Sequence, residues 1–209
     1  MKYVSIDIET TGLDPESCQI LQIGAVIEDT NYPVSLEELP KFQCIVEHDR
    51  YTGQPTALKM NSWIFEILSK MEGLNKEDRI AYRKQHNILP VNLVARSFAM
   101  WLSSNAVYAD EGSTVIKINA AGKNFASFDK VFLQKLPSWG SQIQMRQRIL
   151  DPAILLMDWK NDESLPNLQK CMDRCKIKGE VTHDALQDAI DVVQVLRVVT
   201  GNYNFVTWI

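Results

Sequence analysis

Apolar and polar residues alternate in short runs over the first third of the chain, and apolar residues recur every three to four positions over most of the remainder. Residues 3–13, YVSIDIETTGL, read as a buried strand. Side chains alternate along a strand, so Asp7 and Glu9 share one face while Ile6 and Ile8 share the other. After a GLDPES turn, CQILQIGAVIED sets Ile20, Gln22, Gly24 and Val26 against Leu21, Ile23, Ala25 and Ile27. Two largely apolar faces predict a central strand, and KFQCIVEH then completes an antiparallel meander.

The helical period follows. Residues 56–71 predict one helix, with Leu58, Ile64, Leu68 and Met71 near helical spacing and Met60, Trp63 and Phe65 on a broader apolar flank. Residues 72–89 are polar and hold a short helix carrying Lys76, Arg79, Arg83, Lys84 and His86; this is a solvated face or a nucleic-acid contact. Residues 89–102 form a helix opened by Pro90, with Leu93, Phe98, Trp101 and Leu102 toward the core. TVIKINAAG reads as one strand, and KNFASFDKVFLQKL turns into a helix with Asp129 in its first turns. QRILDPAILLMDWK passes from strand to helix at Asp151 and Pro152. Residues 164–177 are amphipathic, with Leu165, Leu168, Cys171, Met172 and Cys175 inward. In THDALQDAIDVVQVLRVVTG, Thr182 is the expected N-cap and Ala185, Ala189, Val192, Val193 and Leu196 face inward. These elements predict a single α/β domain over 1–209, with a central mixed β-sheet flanked by α-helices.

Charge and cysteine usage narrow the function classes. A length of 209 residues suffices for a substantial core, and a net charge of −4 argues against a chain that coats long duplexes by charge alone. No run is long enough to cross a bilayer and the chain opens directly on a strand, so the expectation is a cytoplasmic protein with no membrane partner. Cys18, Cys44, Cys171 and Cys175 lack zinc-ligand spacing and read as free thiols. The apolar tail NYNFVTWI either folds back or forms an interface, which leaves a homodimer possible.

Candidate chemistry begins with the carboxylates. A bare D-x-E is usually a solvated strand end, but Asp129 opens a helix after another strand, and His183 and Asp188 bracket the start of the last helix. With the two strands adjacent and the last helix across their ends, four carboxylates converge. Such a cluster is strongly destabilising unless divalent cations join it, and oxygen-only ligands suit Mg²⁺ or Mn²⁺. Two ions could clamp a phosphodiester between attacking water and leaving oxygen. His183, in the loop or first turn, is a general base by its ordinary pKa.

DIETTGL, NFASFD and HDALQDA resemble, in order, the three motifs of the DEDDh family of 3′→5′ exonucleases on the ribonuclease H-like fold, over residues 1 to about 201. The resemblance implies that Asp7, Glu9 and Asp188 hold one metal and that Asp7 with Asp129 holds the second. It implies His183 as the base and the 3′ end of single-stranded DNA or RNA as substrate, releasing nucleoside 5′-monophosphates. It further implies that Thr10 and Thr11 offer backbone groups to the terminal nucleotide and that Leu13 wedges against its base. Trp63 resembles a base-stacking tryptophan of oligoribonuclease, although packing into the core serves equally. Asn124 stands five positions before Asp129, where many relatives carry an asparagine four before. A non-catalytic binding module and a metal-dependent endonuclease are the rival functions on the same fold.

Overall fold

The computed structural model describes residues 1–201. Strands β1 (Lys2–Thr10), β2 (Ile20–Asp29) and β3 (Lys41–Glu47) form the expected antiparallel meander. β4 (Ile88–Pro90) adds in parallel to β3, and β6 (Ala120–Ala121) in parallel to β1, giving a mixed sheet of order β4-β3-β2-β1-β6. The C-terminal octapeptide NYNFVTWI lies outside the described residues.

Alternation along β1 builds the two layers. Val4, Ile6 and Ile8 pack with Ala95, Phe98 and Leu102 of α4 (Val91–Ser104), and with residues of α5 (Asp129–Gln134) and α6 (Trp139–Gln142). On the opposite face, Tyr3 and Val26 meet Met172 of α7 (Leu168–Arg174) and Val192, Val193 and Leu196 of α8 (Ala185–Val199). A third cluster joins Leu21 and Ile45 to Ile64 and Leu68 of α2 (Ser62–Ser69). Among the described residues, no helix is long and apolar enough to cross a membrane.

Several expected elements are subdivided. The helix over 56–71 is two helices, α1 (Pro55–Met60) and α2, broken at Asn61. The Asn61 amide donates to Thr10 O at 3.3 Å and to Ala57 O at 3.2 Å, bonding the break to the end of β1. Such side-chain competition for backbone groups interrupts a helix without interrupting its apolar period. The expected single strand TVIKINAAG also divides. β5 (Ile116–Ile118) pairs in parallel with β7 (Ile143–Met145) in a second sheet, and past Asn119 the chain joins the main sheet as β6. Leu89 belongs to β4, so the helix expected from 89 starts at Val91. The segment after Pro152 is a 3-10 helix, Pro152–Leu156, and the helix expected over 164–177 contracts to α7. Leu93 and Leu165 are exposed, against the core positions expected for them.

The basic segment resolves into α3 (Lys76–Gln85), capped by Asn75. Arg79 and Arg83 both grip Glu47, at 2.8 and 2.7 Å, and so fasten α3 to the end of β3. Two of the basic side chains there are therefore structural.

The sheet and α8 approach closely at Gly24, opposite Asp7 in the β1–β2 ladder. A Cβ at this position would lie 2.1 Å from both the Ala185 carbonyl carbon and the Leu186 nitrogen, inside the backbone of α8. Gly24→Ala is therefore expected to lower stability by about 2–3 kcal/mol or more, because the opposing atoms are backbone and cannot rotate away. Denaturant unfolding monitored by circular dichroism measures this; an unchanged midpoint would contradict the close approach.

Candidate active site

The sheet delivers its acids to one end. Asp7 and Glu9 leave the last turns of β1 on the face covered by α8, opposite Gly24 and Gln22 of β2. Asp129 enters at the first residue of α5, where its Oδ1 accepts the Ile8 backbone N–H at 3.2 Å. Asp188 lies in the first turn of α8. All four, with His183, line a cleft of about 550 Å³ whose apolar wall includes Leu13, Met60 and Phe128.

The start of α8 is anchored by side chains rather than by the expected cap. Thr182 lies outside the helix, and Asp184 caps it, accepting from Leu186 N and Gln187 N, both at 3.1 Å. The other Asp184 oxygen accepts from Gln22 Nε2 at 3.1 Å and Gln43 Nε2 at 3.3 Å. Gln22 Oε1 in turn accepts from Ala185 N at 3.1 Å, so one buried amide holds two consecutive residues of the helix start. His183 immediately precedes this anchor at φ 54°, in an exposed loop as expected. Ligand atoms of Glu9, His183 and Asp188 lie within 4.8 Å of one another.

The electrostatics are those of an uncompensated cluster. Burial, then the charges of Asp129, Asp188, Glu9 and Asp184, raises the Asp7 carboxyl well above the ordinary range. Burial and then Asp188 push Glu9 to about 7, partly offset by a hydrogen bond from Asn61. Burial pushes Asp129 to about 8, with backbone hydrogen bonds opposing and Glu9 adding. Asp188 rises to about 7 through burial and then Asp191. Its Oδ1 is buried without a hydrogen-bond partner. An orphaned carboxylate oxygen in an oxygen-rich cluster fits a hard divalent cation.

The expected substrate contacts divide. Thr10 and Leu13 line the cleft, and Leu13 is 72% exposed there. Thr11 does not line it: its N–H donates to Gln19 O, its carbonyl accepts from Gln54 N, and its Oγ1 accepts from Gln19 N. Those bonds commit its backbone groups and one acceptor site of its hydroxyl to neighbouring protein groups. Trp63 packs beside the third apolar cluster, also outside the lining, and Met60 takes the position facing the cleft. Asn124, at φ 58°, is exposed and outside the lining; its N–H donates to Asp151 and its Oδ1 accepts from Ser127. Lys123, Phe128, Gln54 and Asn61 line the cleft without having been singled out. A lysine between a strand and a helix-borne aspartate was the available signal for Lys123.

The acid-walled cleft opens at one end of this mixed sheet. The profile of the exonuclease family RNase_T matches residues 4–196, and the chain belongs to that family. No curated protein matches the sequence. Similar solved structures include Exonuclease I of Methylocaldum szegediense, at 16% identity and a TM-score of 0.59, and that of E. coli with a dT13 oligonucleotide, at 16% and 0.57. Each is matched over 96% of this chain, which spans 40% and 41% of their respective lengths. Cell-death related nuclease 4 is similar at 14% identity and a TM-score of 0.58, with 97% of this chain covering 64% of that one. These likenesses place the fold among ribonuclease H-like exonucleases.

Two outcomes follow from this geometry. The folded protein retains carboxyl protons that the unfolded chain releases near pH 4, so that contribution to stability is full below pH 4 and is lost as pH rises through about 7 to 8. The Tm in EDTA should therefore fall between pH 5 and 8, and added Mg²⁺ or Mn²⁺ should raise it more at pH 8 than at pH 5.5. Equal increments at both pH values, read by calorimetry, would exclude cation binding by these carboxylates. Gln22→Leu should cost about 1–3 kcal/mol of stability by leaving the Ala185 N–H unpaired. It should also lower metal affinity through Asp188, measured by titration calorimetry.

Proposed function

We propose that the protein hydrolyses the 3′-terminal phosphodiester of single-stranded nucleic acid, releasing nucleoside 5′-monophosphates, as one exonuclease domain of the DEDDh type. The observation that carries this reading is the meeting of Asp7, Glu9, Asp129, Asp188 and His183 in one cleft. Exonuclease I of E. coli is known in complex with single-stranded dT13 and dA16, which supports a single-stranded substrate here.

Asp7, Glu9, Asp129 and Asp188 would hold two Mg²⁺ or Mn²⁺ ions. When bound, such cations supply charge neutralisation of the phosphodiester and activation of water. The chain's own contribution is placement. His183, beside Glu9 and Asp188, takes the proton of the attacking water and hands it to solvent through its exposed loop. Leu13, Met60 and Phe128 supply an apolar wall for the terminal base, and Lys123 offers a cation to its phosphate. β1, α5 and α8 hold the carboxylates on regular elements, which keeps the geometry fixed before substrate arrives.

Oligonucleotides blocked at the 3′ or the 5′ end, together with a circular single strand, test the polarity and the need for an end. Cleavage is expected only with a free 3′ end and only with divalent metal; cleavage of the circle, or activity surviving EDTA, would reject the assignment. Asp7→Asn should abolish turnover without unfolding the protein. His183→Ala should lower kcat by about 10²- to 10⁴-fold while leaving metal affinity unchanged. A matching loss of metal affinity would make His183 a ligand instead of the base.

A further inference from the structure

We propose that a basic groove beside the cleft binds the phosphodiester backbone of the strand whose 3′ end occupies the cleft. This inference rests on the function proposed above and extends it to the body of the substrate.

Two adjoining depressions, of about 400 and 500 Å³, share Lys117, Gln144, Met145 and Gln147. Arg146 and Arg148 line the first and Lys130 the second, and no aspartate or glutamate lines either. In a chain of net charge −4, a groove lined by four cations, with one carboxylate, Asp110, paired to Lys117 at its edge, is a local reversal of sign. The second sheet produces it. Ile143 and Met145 of β7 turn inward while Gln144 turns out beside Lys117 of β5, its partner in register. Arg146, Gln147 and Arg148 continue outward past the strand end, all exposed.

These cations are available. Among the described residues, the side chains of Lys130, Arg146 and Arg148 make no ion pair or hydrogen bond. Lys117 meets only Asp110, at 3.1 Å, through an exposed pair that a polyanion displaces at little cost. Arg79 and Arg83 differ, being committed to Glu47.

The helix α5 contributes to both the cleft and the groove. Asp129 opens that helix on the cleft side, while Lys130 and Gln134, one turn apart, line the groove. Lys123 adds a cation on the cleft side. At the groove's far end, Asn119 precedes Ala120, which pairs with Val4, three residues before Asp7 and five before Glu9 on β1, so that end lies roughly 10–17 Å along the strand from those acids at about 3.3 Å per residue. A strand must therefore run several nucleotides back from its 3′ end to reach the far end of the groove. Unpaired guanidinium and ammonium groups interleaved with glutamine amides match a repeating phosphate chain without selecting its sequence. The cleft supplies the end of such a chain.

The test compares the wild type with the double variant Arg146→Gln/Arg148→Gln. In EDTA, where no turnover occurs, anisotropy of labelled dT20 should show about tenfold weaker binding by the variant. Its slope of log affinity against log salt should be shallower by about 1 to 1.5, as expected for losing two phosphate contacts to a single strand. With Mg²⁺, kcat/KM should fall for the 20-mer and stay unchanged for a dinucleotide. Arg146→Lys/Arg148→Lys should restore binding, which separates charge from folding. Unaltered dT20 binding overturns the inference and leaves the face to an acidic protein partner. An equal loss on the dinucleotide also overturns it, since the effect would then reach the cleft itself. A wild type that binds dT20 through these arginines yet cleaves nothing would sink the proposed function and leave the groove standing.

Discussion

The start of α8 must lie against the middle of β2, and the rest of the site depends on that contact. Gly24 makes it sterically possible, because any side chain there would occupy the backbone of Ala185 and Leu186. Gln22, two residues away on the same face, makes it specific by bonding both the Ala185 N–H and the Asp184 carboxylate. Apolar packing of Val192, Val193 and Leu196 favours burial of α8 but is non-directional, and would tolerate sliding along the sheet. The glycine and the buried amide set the register, and with it the distance from Asp188 to Asp7 and Glu9.

That placement has an electrostatic cost. Four carboxylates that the fold brings into one cleft face burial and mutual repulsion, and their raised pKa values record it. The fold provides limited relief: Ile8 N–H donates to Asp129, Asn61 to Glu9, and a Thr182 backbone bond reaches Asp188. None of these is a cation. A protein stabilised chiefly by its apolar layers can carry such a site because those layers lie on both faces of the sheet, away from the end where the acids gather. The contrast with Glu28 is instructive. At the far end of β2, that buried carboxylate has a cation of its own, Arg197 of α8 on its Oε2, although its Oε1 has no hydrogen-bond partner and burial still raises its pKa.

Much of this was legible in the chain because it depends on period. A two-residue alternation places Asp7 and Glu9 together on β1 and identifies β2 as buried on both faces, and the structure agrees on both. The motifs carrying Asp129, His183 and Asp188 were recognisable because their flanks announce a strand end or a helix start. What escaped was whatever leaves the period intact. Asn61 breaks a helix across which apolar spacing continues, and Asn119 moves the chain between two sheets inside one alternating run. β4 has three residues, ending in a proline, which is too short to show alternation. Thr11 and Trp63 could be named from a motif but not placed. Hydrogen bonds to Gln19, across the turn, and to Gln54, 43 positions away, hold Thr11 in place. The basic groove escaped because its cations are separated by 13 to 31 positions apart from Arg146 and Arg148, and only the pairing of β5 with β7 and the packing of α5 beside them collect them.

His183 stands apart from the carboxylates in the element that carries it. The acids occupy a strand and two helix starts, whereas the histidine sits in a left-handed backbone conformation that costs a residue with a Cβ about 1–2 kcal/mol. The next residue, Asp184, accepts four hydrogen bonds, two from the start of its own helix and two from glutamines of β2 and β3. Those bonds offset the strain and determine where the loop ends. The same cap begins the helix that carries Asp188 four residues later, with Asp188 N donating to Asp184 O at 2.9 Å. One anchored residue therefore locates both the histidine before it and the carboxylate after it, and neither can be displaced without disturbing the other.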